Sequence, residues 1–161
     1  MGYLLPGDRL YNNFESSGNL PSTVDVEISI NELVCEAVSF SLRPGGHALR
    51  VCSLDDIVAE KLRDLLQQPI RKRSRPQDVY DIANIVRLGL ILDVAKVSAY
   101  LIRKAESREI RPLKHSFDDT VKNLATIGYE NLMAPNDPDF IPFDEAWARV
   151  LEFVSMLSIP S

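Results

Sequence analysis

The hydrophobic period of this chain changes once, at Ser53, and no other feature constrains the fold as much. Val24, Val26, Ile28 and Ile30 alternate strictly with Asp25, Glu27, Ser29 and Asn31, the pattern of a half-buried strand. Residues 33–42 and 48–52 read as two further strands, with a turn at Arg43-Pro44-Gly45-Gly46 between them. The opening 22 residues, rich in Gly, Pro, Asn and Ser, read as loop with at most one short strand. Past Ser53 the apolar residues recur every three or four positions. Ser53-Leu54-Asp55-Asp56 has the form of a capping box, Ser53 capping a helix and Asp56 reaching back to its amide. The first helix is predicted from Leu54 to about Gln68, where Pro69 stops it, and Pro76 opens a second that ends near Gly89. Further helices fit residues 93–107, 116 to about 133, and 143–157. Strands followed by helices make an α+β chain: a short N-terminal β-sheet, then a bundle of about five helices. With 161 residues, one domain is expected, strand-rich over 1–52 and helical over 53–161.

Cysteine and histidine usage excludes two classes. The cysteines are Cys35 and Cys52 and the histidines His47 and His115. Two cysteines make no disulfide framework, and no Cys/His spacing assembles a zinc site. There is no P-loop, Rossmann fingerprint or Gly-x-Ser-x-Gly elbow. Met1-Gly2-Tyr3-Leu4-Leu5 meets Pro6-Gly7-Asp8 before the apolar core of a signal peptide forms. The most apolar stretch, residues 85–102, is cut by Arg87, Asp93 and Lys96, which are costly inside a bilayer. The expectation is a cytoplasmic protein with reduced thiols and no membrane partner.

The net charge of −5 argues against a general nucleic-acid coat. Its distribution is uneven. Residues 61–115 carry 13 basic and 6 acidic side chains, between flanks that carry 3 basic and 9 acidic (1–60) and 2 basic and 8 acidic (116–161). Such a block suits a phosphate-rich ligand, or it pairs internally with its flanks; both readings stand at this level.

Three charges fall where apolar residues belong. At 100° per residue, Leu54, Ile57, Val58, Leu62, Leu65 and Leu66 form one apolar arc, and Lys61 lies inside it. On the helix from Pro76, Asp78 and Asp81 lie within the arc of Val79, Ile82, Ala83, Ile85, Val86 and Leu88. Lys61 either snorkels, pairs or lines a cleft. Asp78, near the helix start, also suits the helix dipole. Burying both carboxylates needs cations, for which Lys61, Arg73 and Arg75 are at hand. A polar cleft between the two helices is the expectation. Glu27 on the first strand is either part of a solvated face or a carboxylate that helps hold a divalent metal. His115 reads as a surface residue, Tyr80 and Trp147 as packing aromatics.

Ser53 to Leu66, followed by Arg75-Pro76-Gln77-Asp78-Val79-Tyr80-Asp81, resembles the AbiEii/AbiGii family of nucleotidyltransferase-like toxins from type IV toxin–antitoxin systems. Of the family's four motifs, the third is Lys-Leu-x-x-Leu-x-x-Arg. Lys61, Leu62 and Leu65 match it, and Gln68 stands at its arginine. The fourth is Arg-x-Lys-Asp-x-x-Asp, matched by Arg75, Asp78 and Asp81, with Gln77 in place of the lysine. Glu27-Ile28-Ser29 fits the short second motif, and Phe143-Asp144-Glu145-Ala146-Trp147 looks like the family's closing helix. The first motif, Gly-Ser followed by paired aspartates, stands nowhere in the 161 residues.

The resemblance implies Lys61 as a phosphate contact and Asp78 as an active-site acid, with Arg75 and Asp81 in support and Glu27 as a metal carboxylate. It implies Mg2+ as the cofactor of an active form, and a nucleoside triphosphate, RNA and a cognate antitoxin as partners. Without the first motif the chain is expected to be a truncated toxin domain, inactive alone. The alternative is a non-catalytic module on the same scaffold, holding an antitoxin, a second copy or nucleic acid. A homo-oligomer (a homodimer), or a complex with a cognate chain, formed through the first 50 residues rather than the C-terminal helix is expected, because a missing N-terminal part leaves apolar surface and a sheet edge open.

Overall fold

A computed structural model describes residues 32–41, 46–134 and 136–161. The elements that follow all belong to one compact unit, residues 33–161. Two antiparallel strands, β1 (Ala37–Phe40) and β2 (Leu49–Cys52), pair with Val38 opposite Val51 and Phe40 opposite Leu49. Five helices follow: α1 (Leu54–Arg71), α2 (Pro76–Arg87), α3 (Val94–Glu106), α4 (Asp119–Thr126) and α5 (Phe143–Met156). The layout is α+β, as expected. The alternating segment 24–31 and the turn at 43–45 lie outside the described residues.

α1 is the centre of the helical layer. It packs on α2, α3 and α4, while α2 packs on α5. Val58, Ala59, Leu62 and Leu65 of α1 are fully buried, as are Val79, Ile82 and Ala83 of α2. They join Val97 and Leu101 of α3, Ala125 of α4, and Ala146 and Val150 of α5 in one cluster. Tyr80 and Trp147 are buried packing residues, and the Tyr80 hydroxyl donates to the Asp139 carbonyl at 3.2 Å. Phe143 lies between Tyr129, edge-on at 5.0 Å, and Trp147, stacked at 6.3 Å.

Four local expectations need correction. The strand predicted over 33–42 is confined to Ala37–Phe40. Residues 33–35 are irregular, and side chains rather than a neighbouring strand meet their backbone: Asp56 accepts the Cys35 N–H at 3.1 Å and Lys104 donates to the Leu33 carbonyl. The capping box is half made. Ser53 Oγ accepts the Asp56 N–H at 3.2 Å, but the Ser53 N–H goes to the Glu36 carbonyl at 3.1 Å, and Asp56 turns to Cys35 and Lys104. α1 does not stop at Pro69 but runs on to Arg71 and ends at Lys72 in the left-handed conformation. Proline has no N–H for the Leu65 carbonyl four residues back; Gln68 Nε2 donates to that carbonyl instead, at 3.2 Å. The helix predicted from Ser116 to Met133 is broken. Lys114–Ser116 and Tyr129–Asn131 are single 3₁₀ turns flanking α4. Asp118 starts α4 by accepting the Thr120 and Val121 N–H groups, and Gly128, at φ +81°, turns the chain out of it.

Candidate functional site

The short α1–α2 turn brings Lys61 against the first two turns of α2. Pro76 occupies the first helical position, so the chain commits to α2 at once and Asp78 falls in its first turn. Lys61 Nζ donates to Asp78 Oδ1 at 3.0 Å and to Asp81 Oδ2 at 2.6 Å. The three charges that interrupt the two apolar arcs thus meet each other. The Asp78 side chain is 9% exposed, Lys61 20% and Asp81 29%, so the cluster opens toward Asp81. Gln77 Nε2 donates to the other oxygen of Asp81 at 2.7 Å, using the position where the resemblance places a lysine.

Arg75 completes the cluster at lower strength. Its guanidinium lies 3.5 Å from Asp64 Oδ2 and 4.0 Å from Asp78 Oδ2. Its backbone N–H donates to Gln68 Oε1 at 2.8 Å. Gln68, 1% exposed, therefore stands where the third motif has its arginine and uses its whole amide: Oε1 on Arg75, and Nε2 on the Leu65 and Val121 carbonyls.

Burial and pairing pull the site's ionisations in opposite directions. Burial pushes the Asp78 carboxyl up, and the opposing Lys61 charge and hydrogen bond only partly offset it. Asp78 Oδ2 is buried and accepts no hydrogen bond, and its cation is Arg75 at 4.0 Å. For Lys61 burial works downward, but the hydrogen bonds and charges of Asp81 and Asp78 win and raise it. It is a firmly held ammonium.

Two buried cations escaped the sequence reading. Arg63 pairs with Glu60 and with Asp64, the latter at 2.8 Å, and also bonds Gln67. Lys104 of α3 lies 3.1 Å from Asp56 and 3.2 Å from Glu60. Both side chains are 3% exposed. Burial opposes ionisation of Glu60, but Arg63 and Lys104 outweigh it and hold its carboxyl below the ordinary range. The signal was present for one of them: Lys104 shares a helical face with Val97 and Leu101. The test that singles out Lys61 also finds Lys104, which falls between Tyr100 and Val97; Arg63 lies at the edge of its arc, beside Asp56, Gln67 and Glu60, and is not found by it. Cations and carboxylates alternate from Lys104 through Glu60, Arg63, Asp64 and Arg75 to Asp78 and Lys61.

Internal pairing thus absorbs much of the basic block, including Lys61, Arg63, Arg75, Arg87, Lys96 and Lys104. Arg71, Lys72 and Arg73 on the α1–α2 turn are exposed. His115 is exposed as expected.

Among the described residues no three His, Cys, Asp or Glu side chains come together to hold a metal ion. Asp78 and Asp81 share the single charge of Lys61. The described residues therefore do not fit a magnesium ion by themselves, and Glu27 lies outside them. Also among the described residues, no helix is long and apolar enough to cross a membrane.

No curated protein and no solved structure matches this chain significantly. The family model of the nucleotidyl transferase AbiEii toxin, type IV toxin–antitoxin system, matches residues 6–149, and the chain belongs to that family.

Proposed function

We propose that the α1–α2 cluster is the phosphate-contacting half of a nucleotidyltransferase site, with Lys61 as the phosphate contact. The observation that supports this is the ammonium held between Asp78 and Asp81. A lysine has three N–H donors, and these carboxylates use two. The third is suited to a phosphate oxygen of a nucleoside triphosphate. Nucleotidyl transfer attacks the α-phosphate and expels pyrophosphate, so it depends on alignment and charge neutralisation rather than covalent help. In this reading Asp78 aims Lys61 and acts as the site's acid, Asp81 shares the aiming, and Arg75 supports Asp78. The divalent metal such chemistry uses would need carboxylates beyond the described residues, Glu27 among them.

The 161 residues hold no Gly-Ser followed by paired aspartates, so we propose that the chain alone does not transfer nucleotides. The same absence supports a second reading, a binding module on this scaffold for a cognate antitoxin, a second copy or RNA. We place either form in the cytoplasm. Incubating the chain with labelled triphosphates, magnesium and RNA separates the two properties. No incorporation is expected, and incorporation abolished by Asp78→Ala would overturn the inactivity. Millimolar triphosphate is expected to raise the melting temperature of the wild-type chain and not that of Lys61→Gln; equal behaviour of the two would remove Lys61 from the site.

A further inference from the structure

Two cavities of about 310 and 480 Å3 share Pro69 and Thr120, and so form one groove between the end of α1 and α4. Its floor is aliphatic, built from Leu66, Pro69, Leu124 and Ile127. Ile127 is 61% exposed, and Ile70, next to Pro69 on α1, is 66% exposed. Such apolar surface is costly to leave in water. A cation stands at each end: Lys72 lines one cavity and Arg111 the other, beside His115. Arg71 and Arg73 flank Lys72 and are exposed with it. One acidic residue, Asp118, lines the Arg111 side as well, where its Oδ1 caps α4.

The chemistry distinguishes between anionic occupants. A nucleic acid strand gains affinity by stacking bases on aromatic faces, and no Phe, Tyr or Trp lines either cavity, His115 being the single aromatic ring in the lining. An aliphatic trough with basic ends matches an amphipathic helix that carries aliphatic anchors and acidic flanks. We propose that this groove docks an acidic amphipathic helix of another protein, its aliphatic side chains on Pro69, Leu124 and Ile127 and its carboxylates on Lys72 and Arg111. The inference does not depend on the nucleotidyl-transfer reading, since it uses no residue of the Lys61 cluster.

Selection of a random peptide library, each member about four helical turns long, on the full chain tests it. Enrichment of peptides with aliphatic residues at helical spacing and a surplus of Asp and Glu is expected. Their affinity should fall at least about tenfold on the double charge reversal Lys72→Glu/Arg111→Glu, and should weaken with added salt. Ile127→Asp should weaken them by a similar factor. All three positions line an open groove, so circular dichroism and melting should match the wild type. Absence of enrichment, enrichment of basic peptides, or equal binding to the variants would overturn the proposal. So would an oligouridine that binds more tightly than the selected peptides and weakens on the same substitutions.

Discussion

The Gln68 side-chain oxygen accepts the Arg75 backbone N–H at 2.8 Å, across the turn that joins the two helices of the site. Its amide nitrogen holds the Leu65 and Val121 carbonyls at 3.2 and 3.3 Å. One buried amide thus fixes α1, α4 and the start of α2 together. Gln68→Ala removes all three bonds and leaves a cavity, so a loss of about 2–4 kcal/mol is expected. Urea unfolding measures it. A loss below about 0.5 kcal/mol would mean the three bonds are replaced by water at no cost.

Lys61 bridges two carboxylates at once, one of them well buried. Lys61→Met strands Asp78, and about 2–4 kcal/mol of stability should go with it. Removing the stranded charge as well, in Lys61→Met/Asp78→Asn, should recover part of that loss. A double-mutant cycle is expected to give a coupling above about 1 kcal/mol. Additive single losses would show that the two head groups do not act as a pair in solution.

Alkali provides a test through Tyr129, whose hydroxyl donates to the Ile141 carbonyl at 2.9 Å. Burial pushes this phenol from 10.0 up to about 12. Below pH 10 both the folded and the unfolded phenol are protonated, and the contribution to stability is fully present. Between about 10 and about 12 the unfolded phenol ionises while the folded one keeps its proton, so the contribution is lost as pH rises. Lys61, raised above 10.5, acts with the same sign. Tyr129→Phe should be less stable than the wild type by about 1 kcal/mol near neutrality. That gap should shrink steadily above pH 10 in urea midpoints; a constant gap would contradict a buried, protonated phenol.

The helices and the Lys61 cluster were legible for one reason: each was encoded in a single element's periodicity. The boundaries at Ser53, Pro76, Asp93 and Phe143 were marked by capping residues or prolines that the structure uses as such, or lie within a residue of an observed end. What was illegible depended on distant partners. Nothing local announces that the Leu33 and Cys35 backbone would be met by Lys104 and Asp56. Nor do residues 116–133 reveal that the helix starts only at Asp118 and ends before Gly128, because Val121, Leu124 and Ile127 keep a helical period up to the break. Lys104 of α3 carries the same signature as Lys61, a charge inside an apolar arc, between Tyr100 and Val97.

Pro69 is the sharpest conflict between local rule and structure. A proline inside a helix costs about 3 kcal/mol, through a lost hydrogen bond and a clash with the carbonyl four residues back. Here the orphaned Leu65 carbonyl already has a donor in Gln68 Nε2. Pro69→Ala would give that carbonyl a backbone partner it does not need, and would also loosen the unfolded chain, which works against stability by about 0.4–1 kcal/mol. The net change is expected to lie within about 1 kcal/mol of zero. In a Gln68→Ala background the carbonyl has no such donor, and Pro69→Ala should then stabilise by at least about 1 kcal/mol. Urea unfolding of the four chains decides it. A gain near 3 kcal/mol from Pro69→Ala alone would show that Gln68 does not compensate for the proline.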